Sequence, residues 1–138
     1  DFAKGAVATY MGRELIASWT GIDPLLGAAI GGLVAVVGHC FPVFVGFKGG
    51  VGLASTAGAL ALVSWPLVLS AATAIALFWA LARDMYVGVA AASLIYPLLG
   101  WYWLRSGPVT LVLAMWGLVV FFLHLGDVKA WVTVRKNA

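Results

Sequence analysis

The densest chemistry in the chain lies in one stretch, Gly38-His39-Cys40-Phe41-Pro42-Val43-Phe44-Val45-Gly46-Phe47-Lys48-Gly49-Gly50-Val51-Gly52-Leu53-Ala54-Ser55. Lys48 is the sole charged side chain between Asp23 and Arg83. Glycines at 46, 49, 50 and 52 let the backbone approach a ligand and turn successive N–H groups toward it. A helix is expected to start near Val51, so its unpaired first-turn N–H groups and positive dipole end face the same place. With the Lys48 ammonium added, the stretch suits a phosphate. The competing reading is a plain turn between two helices whose lysine snorkels to water. A P-loop is excluded, because no Gly, four residues, then Gly-Lys-Ser/Thr occurs.

His39 stands at a helix end beside this stretch, and His124 closes the last apolar run. Ionisable residues in or near a membrane are functional candidates by default. The alternative for each is a ring hydrogen-bonded to a backbone carbonyl. Neither has carboxylates at metal-ligand spacing, so no metal is expected. Cys40 as a nucleophile needs an activating base in reach, and a small core residue is the simpler reading.

The elements that position these residues follow from composition. The chain has 138 residues, 64% hydrophobic and 9% charged, with a mean hydropathy of +1.07. Soluble domains average about 45–50% apolar and about 25% charged. This excludes a water-soluble globule and a disordered chain. One cysteine excludes a disulfide scaffold, and scattered basic residues exclude a nucleic-acid partner. Residues 1–138 read as a single integral membrane domain. Asp1 rather than Met opens the chain and no signal peptide follows, so upstream sequence is expected.

Runs such as Ala71–Ala82 are apolar all round, which rules out the alternation of a strand barrel. The expected fold is all-α, a polytopic transmembrane bundle of roughly five or six helices. The first helix runs from Phe2 to Trp19. Asp23 caps a second, Leu25 to Cys40, with Pro24 at its first position. A third runs from Val51 toward Leu62 and breaks at Trp65-Pro66. The fourth covers Leu67 to Ala82, the fifth Met85 to Trp103, and the sixth runs from Gly107-Pro108 to Leu125 before a polar tail. Gly27 and Gly31 form a GxxxG packing face. Counting alternate crossings puts Lys4, Lys48, Arg83, Lys129, Arg135 and Lys136 on one side and Arg105 on the other, with Arg13 near the outer end of the first helix assigned to neither. The positive-inside rule then makes the glycine loop and the C-terminus cytoplasmic. No internal repeat is visible, which disfavours an inverted-repeat transporter.

The stretch Gly38-His39-x-Phe41-Pro42-Val43-Phe44-x-x-Phe47-Lys48-Gly49-Gly50-x-Gly52 resembles the signature of the bacterial acyl-phosphate:glycerol-3-phosphate acyltransferases. Asp1-x-x-Lys4-Gly5, Ser93-Leu94-Ile95-Tyr96-Pro97 and His124-x-x-Asp127-Val128 resemble further family segments in the same order. The resemblance implies a bacterial inner-membrane enzyme that moves a fatty acyl group from acyl phosphate to the 1-hydroxyl of glycerol 3-phosphate. Its product is lysophosphatidic acid, for phospholipid synthesis, and it needs no cofactor. The implied partners are glycerol 3-phosphate, acyl phosphate and membrane lipid. By resemblance, Lys48 and the amides of Gly49, Gly50 and Gly52 hold phosphate, with Ser55 keeping the hydroxyl of a family threonine. His39 braces the loop or contacts substrate. His124 and Asp127 line the glycerol 3-phosphate site, and Ser93 is a further candidate.

The chain departs from the pattern in places. A Ser/Gly/Asn-rich first motif is absent before Asp1. Val51 replaces a second lysine, Asp127 an asparagine and Ala130 an arginine. Two function classes therefore stand: the acyltransferase, and a non-catalytic relative of the same fold that binds lipid or phosphate. Lys48→Ala is expected to weaken glycerol 3-phosphate binding roughly 10- to 100-fold, the worth of a charge-assisted hydrogen bond. Equilibrium dialysis on reconstituted protein measures it, and an unchanged affinity removes Lys48 from the site.

Overall fold

The computed structural model describes residues 1–42, 46 and 52–136, and its regular elements are all helices. Helix α1 (Phe2–Met11) continues through a π-helical turn (Gly12–Ile16) into the short α2 (Ala17–Thr20). Then come α3 (Pro24–Cys40), α4 (Leu53–Val63), α5 (Trp65–Ala82), α6 (Met85–Ser93), α7 (Tyr96–Leu104), α8 (Gly107–Leu123) and α9 (Leu125–Lys136).

Local chemistry sets the breaks. Gly21 closes α2 at φ 71°. Asp23 caps α3, its Oδ1 accepting from the amides of Leu25 at 2.9 Å and Leu26 at 3.1 Å. Pro24 fills the first helical position, where no N–H is needed. The break expected at Trp65-Pro66 falls one residue earlier, at extended Ser64. Pro66 sits in the first turn of α5, where proline costs nothing.

Two expectations are corrected. The fifth helix is not continuous, since α6 and α7 meet at 52°. Pro97 lacks the N–H that would bond to the Ser93 carbonyl, so the helix opens there. That carbonyl packs against Gly117 of α8. The segment after His124 is not a tail but α9, bent 52° from α8. Asp127 in its first turn and Arg135 and Lys136 in its last complement the helix dipole.

Helix directions alternate. Gly12 lies against Gly27 and Gly31, Gly88 against Trp79, and Gly100 against Leu113, each an antiparallel pairing. One end of the bundle therefore gathers the starts of α1, α4 and α6 and the finishes of α3, α5 and α8. The exposed aromatics Trp19, Trp65, Trp101, Tyr102 and Trp103 lie toward the opposite end, as an interfacial belt would.

The interior is built from small residues and the exterior from large ones. Ala28, Ala29, Gly31, Gly32 and Ala59 are buried, while Leu69, Leu77, Leu98, Leu111 and Phe122 are exposed. A β-carbon on Gly12 would strike the Gly27 carbonyl and stand 2.9 Å from Gly31 Cα. Gly32 leaves room for the buried indole of Trp116, whose Nε1 donates to Thr56 Oγ1 at 3.4 Å. In α5 only 17% of an apolar 18-residue window is buried. Such a surface is solvated by lipid, and the apolar helices mark a membrane protein. Among the described residues α5 alone is a single helix long and apolar enough to cross a bilayer, and the bent pairs α6–α7 and α8–α9 each qualify as one span. Helices α3 and α4 are apolar and shorter.

Gly31→Val is expected to cost about 1–3 kcal/mol, because the added carbons meet backbone that cannot retreat. Gly38→Ala, where a β-carbon meets nothing within 4 Å, should be neutral or gain about 0.5–1 kcal/mol. Reversible unfolding in detergent measures both, and equal effects would remove the close glycine packing.

Candidate functional site

The ends of α1, α3 and α4 build the first half of the site. His39 lies in the last turn of α3, and its Nδ1 stands 3.4 Å from Asp1 Oδ1. Lys4 Nζ, one turn along α1, stands 3.6 Å from the same oxygen. The buried Ser55 Oγ donates to the Asp1 carbonyl at 3.4 Å. Gly52 caps α4 at φ 73°, the left-handed region that glycine enters freely. A β-carbon there would stand 2.7 Å from Cys40 Sγ. The first bond inside α4 runs from Thr56 N–H to Gly52 O at 2.8 Å, so the amides of Leu53, Ala54 and Ser55 have no partner within the helix. These amides and His39 flank the two ends of the glycine loop. Lys48, Gly49 and Gly50, named from the sequence, lie outside the described residues.

The second half forms where α6 begins and α8 finishes. His124 is fully buried, with Nδ1 2.9 Å from the Val120 carbonyl. A carbonyl only accepts, so Nδ1 carries the proton and Nε2 of the neutral ring is a bare lone pair. Nε2 is buried without a hydrogen-bond partner among the described residues. The Tyr86 ring stacks over His124, centroids 5.8 Å apart and planes 28° apart. Tyr86 is fixed in turn by Asp84, whose Oδ1 accepts from the amides of Tyr86 at 2.9 Å and Val87 at 3.1 Å. Asp127 is exposed and lines a cleft of about 420 Å³ with Arg83, Trp131 and Arg135.

Helix alternation puts His39, Ser55, Gly52, His124 and Asp127 at one end of the bundle. Ser93 is apart from them. It closes α6, about 13 Å along the helix from Asp84 at 1.5 Å per residue. It is buried, and its hydroxyl donates to the Ala90 carbonyl at 2.8 Å, inside the break before α7. Asp84 is legible as a cap from its place before a helix, whereas the Tyr86–His124 stack joins distant positions and carries no local signal.

A family model described as glycerol-3-phosphate acyltransferase matches residues 1–133. The chain is similar to the glycerol-3-phosphate acyltransferase of Jannaschia sp. (strain CCS1), 34% identical over 129 residues, covering 94% of this chain and 60% of the relative. It is 35% identical over 129 residues to the protein of that name from Methylococcus capsulatus, covering 94% and 62%. The Gloeobacter violaceus protein of that name is 31% identical over 130 residues, again covering 94% and 62%. The chain thus spans about 60% of the length of these relatives. No solved structure matches it.

The hydrogen bond to Val120 fixes a testable protonation pattern. At pH 8, nitrogen NMR of histidine-labelled protein should find His124 protonated on Nδ1. Protonation on Nε2 would contradict the geometry.

Proposed function

The chain belongs to the glycerol-3-phosphate acyltransferase family, and from that membership we propose that it forms the body of a membrane enzyme using acyl phosphate as donor. The fatty acyl group moves to the 1-hydroxyl of glycerol 3-phosphate and gives lysophosphatidic acid. The supporting observation is the gathering, at one bundle end, of the loop anchors His39 and Gly52 with His124 Nε2, which has no hydrogen-bond partner among the described residues.

Acyl phosphate is a mixed anhydride and arrives activated. The 1-hydroxyl oxygen attacks the acyl carbon, the new ester C–O bond forms, and the C–O bond to phosphate breaks. Inorganic phosphate leaves and takes up the proton. No covalent enzyme intermediate is needed, so the protein works by positioning and by stabilising developing charge. Lys48, with the amides of Gly49, Gly50 and Gly52, holds phosphate, and the first turn of α4 adds N–H groups and dipole. His124 Nε2 accepts the hydroxyl proton and passes it to the leaving phosphate. Asp127 lies on the glycerol 3-phosphate side, and Ser55 and His39 hold the loop anchors. Ser93, within the bundle, acts through the α6–α7 break.

In a bacterial plasma membrane the helices form a single polytopic domain. Lys4, Arg83, Lys129, Arg135 and Lys136 lie at one end and Arg105 at the other, and with Lys48 counted on the first side from the sequence the positive-inside rule makes the site cytoplasmic. Acyl phosphate enters from the lipid and glycerol 3-phosphate from the water.

The test is acyl transfer by the full-length protein in lipid, supplied with palmitoyl phosphate and labelled glycerol 3-phosphate. Lysophosphatidic acid is expected, and palmitoyl-CoA in place of palmitoyl phosphate should give none. His124→Ala should slow transfer by about 10²- to 10⁴-fold, the usual worth of a proton-transfer group. Binding without transfer by folded protein would overturn the enzyme reading in favour of a non-catalytic relative.

A further inference from the structure

Where α9 turns back on the α5–α6 corner it closes the cleft of about 420 Å³, lined by Arg83, Asp84, Asp127, Ala130, Trp131 and Arg135. Two guanidiniums from separate elements border this one space. Neither forms an ion pair among the described residues. Arg83 is held by its backbone, which caps α5 in the left-handed region at φ 56°. Arg135 lies over the Trp131 indole, 4.3 Å from the ring centroid, and Trp131 Nε1 donates to the Ala82 carbonyl at 2.9 Å. The Arg135 guanidinium is thus held by the indole, and the backbone of Arg83 fixes where its side chain starts. Two carboxylates, Asp84 and Asp127, share the lining, and Asp84 Oδ1 is directed at the first amides of α6.

An apolar groove of about 240 Å³ adjoins the cleft and shares Ala82 and Trp131 with it. Phe78, Leu81, Val87 and Ala91 of α5 and α6 complete its lining. A charged cleft continuing into an apolar groove on a lipid-facing surface matches an amphiphile, phosphate at one end and hydrocarbon at the other. Helix α9 suits the interface, with half-buried Leu125, Val128 and Trp131 and exposed Lys129, Arg135 and Lys136.

We propose that this cleft and groove bind an anionic phospholipid of the surrounding leaflet, its phosphate between Arg83 and Arg135, and that the lipid clamps α9 onto the bundle. The inference rests on the chain's being embedded in lipid, shares Asp84 and Asp127 with the candidate acyl-transfer site, and is tested without activity.

Native mass spectrometry of the full-length protein, offered phosphatidylglycerol and phosphatidylcholine equally, reads retention. Hydrogen exchange of residues 125–136 in nanodiscs reads the clamp. Phosphatidylglycerol should be retained roughly tenfold over phosphatidylcholine and should slow exchange in α9. Arg83→Gln with Arg135→Gln should abolish both effects, while Lys129→Gln with Lys136→Gln should preserve them. Should the double arginine variant fail to fold, each single variant should lose a large part of the preference. Equal retention of the two lipids, or an unchanged preference in the arginine variants, overturns the proposal. So does slowing of α9 exchange by soluble glycerol 3-phosphate to the same degree, which would assign the cleft to a free phosphate ester.

Discussion

The contact between backbones across α1, α3 and α4 is the constraint on which the rest of the molecule depends. Lipid tails are as apolar as leucine, so burying hydrophobic surface does not drive helices together in a membrane. What remains is dispersion at close range, with weak Cα–H···O contacts added. Gly5 against Ser55, Gly12 against Gly27 and Gly31, and Gly58 against Phe2 bring main chain onto main chain. That packing sets the relative height of the three helices. It thereby sets where the last turn of α3 and the first turn of α4 stand beside Asp1.

The same solvent explains why the chemistry sits at helix ends. A helix satisfies its own amides and carbonyls except in its terminal turns, and hydrocarbon offers those turns nothing. Several breaks are therefore answered by specific groups. Asp23 and Asp84 take amides at the starts of α3 and α6. Trp131 Nε1 donates a hydrogen bond to the Ala82 carbonyl at the finish of α5. The carbonyl freed by Pro97 is laid against Gly117. The amides at the start of α4 keep no partner inside the helix, and His124 Nε2 is buried without one among the described residues. Groups left unanswered at one bundle end are the ones that have something to offer a substrate.

Much of this was legible in the sequence, because caps and apolar runs are local. Asp23-Pro24, the start near Val51 and the boundary between Ala82 and Met85 matched helix ends within a residue or two. The bend at Ser93–Tyr96 was missed, since five apolar residues on each side read as one span whatever their direction. Helix α9 was missed because hydropathy measures affinity for lipid, and an interfacial helix with Asp127, Lys129, Arg135 and Lys136 scores as a tail. The π-helical turn at Gly12–Ile16 and the Tyr86–His124 stack depend on partners far along the chain. The glycine loop is the reverse case. Its chemistry was read from residue types alone, and residues 43–45 and 47–51 lie outside the described part.

Charge in the cleft beneath α9 bears on the departures from the family pattern. By the resemblance read from the sequence, Asp127 stands in place of an asparagine and Ala130 in place of an arginine, and together they make this edge more negative by two charges. Considered along α9 alone, that change opposes an anionic ligand. In three dimensions the cleft also receives Arg83 from the α5–α6 corner and Arg135 from the following turns of α9. The Oδ1 atom of Asp84 accepts from two backbone amides. Two guanidiniums, Arg83 and Arg135, then balance the two carboxylates, Asp84 and Asp127, at this cleft. Electrostatic character belongs to the space that elements enclose, and cations from two elements offset the acids that share it.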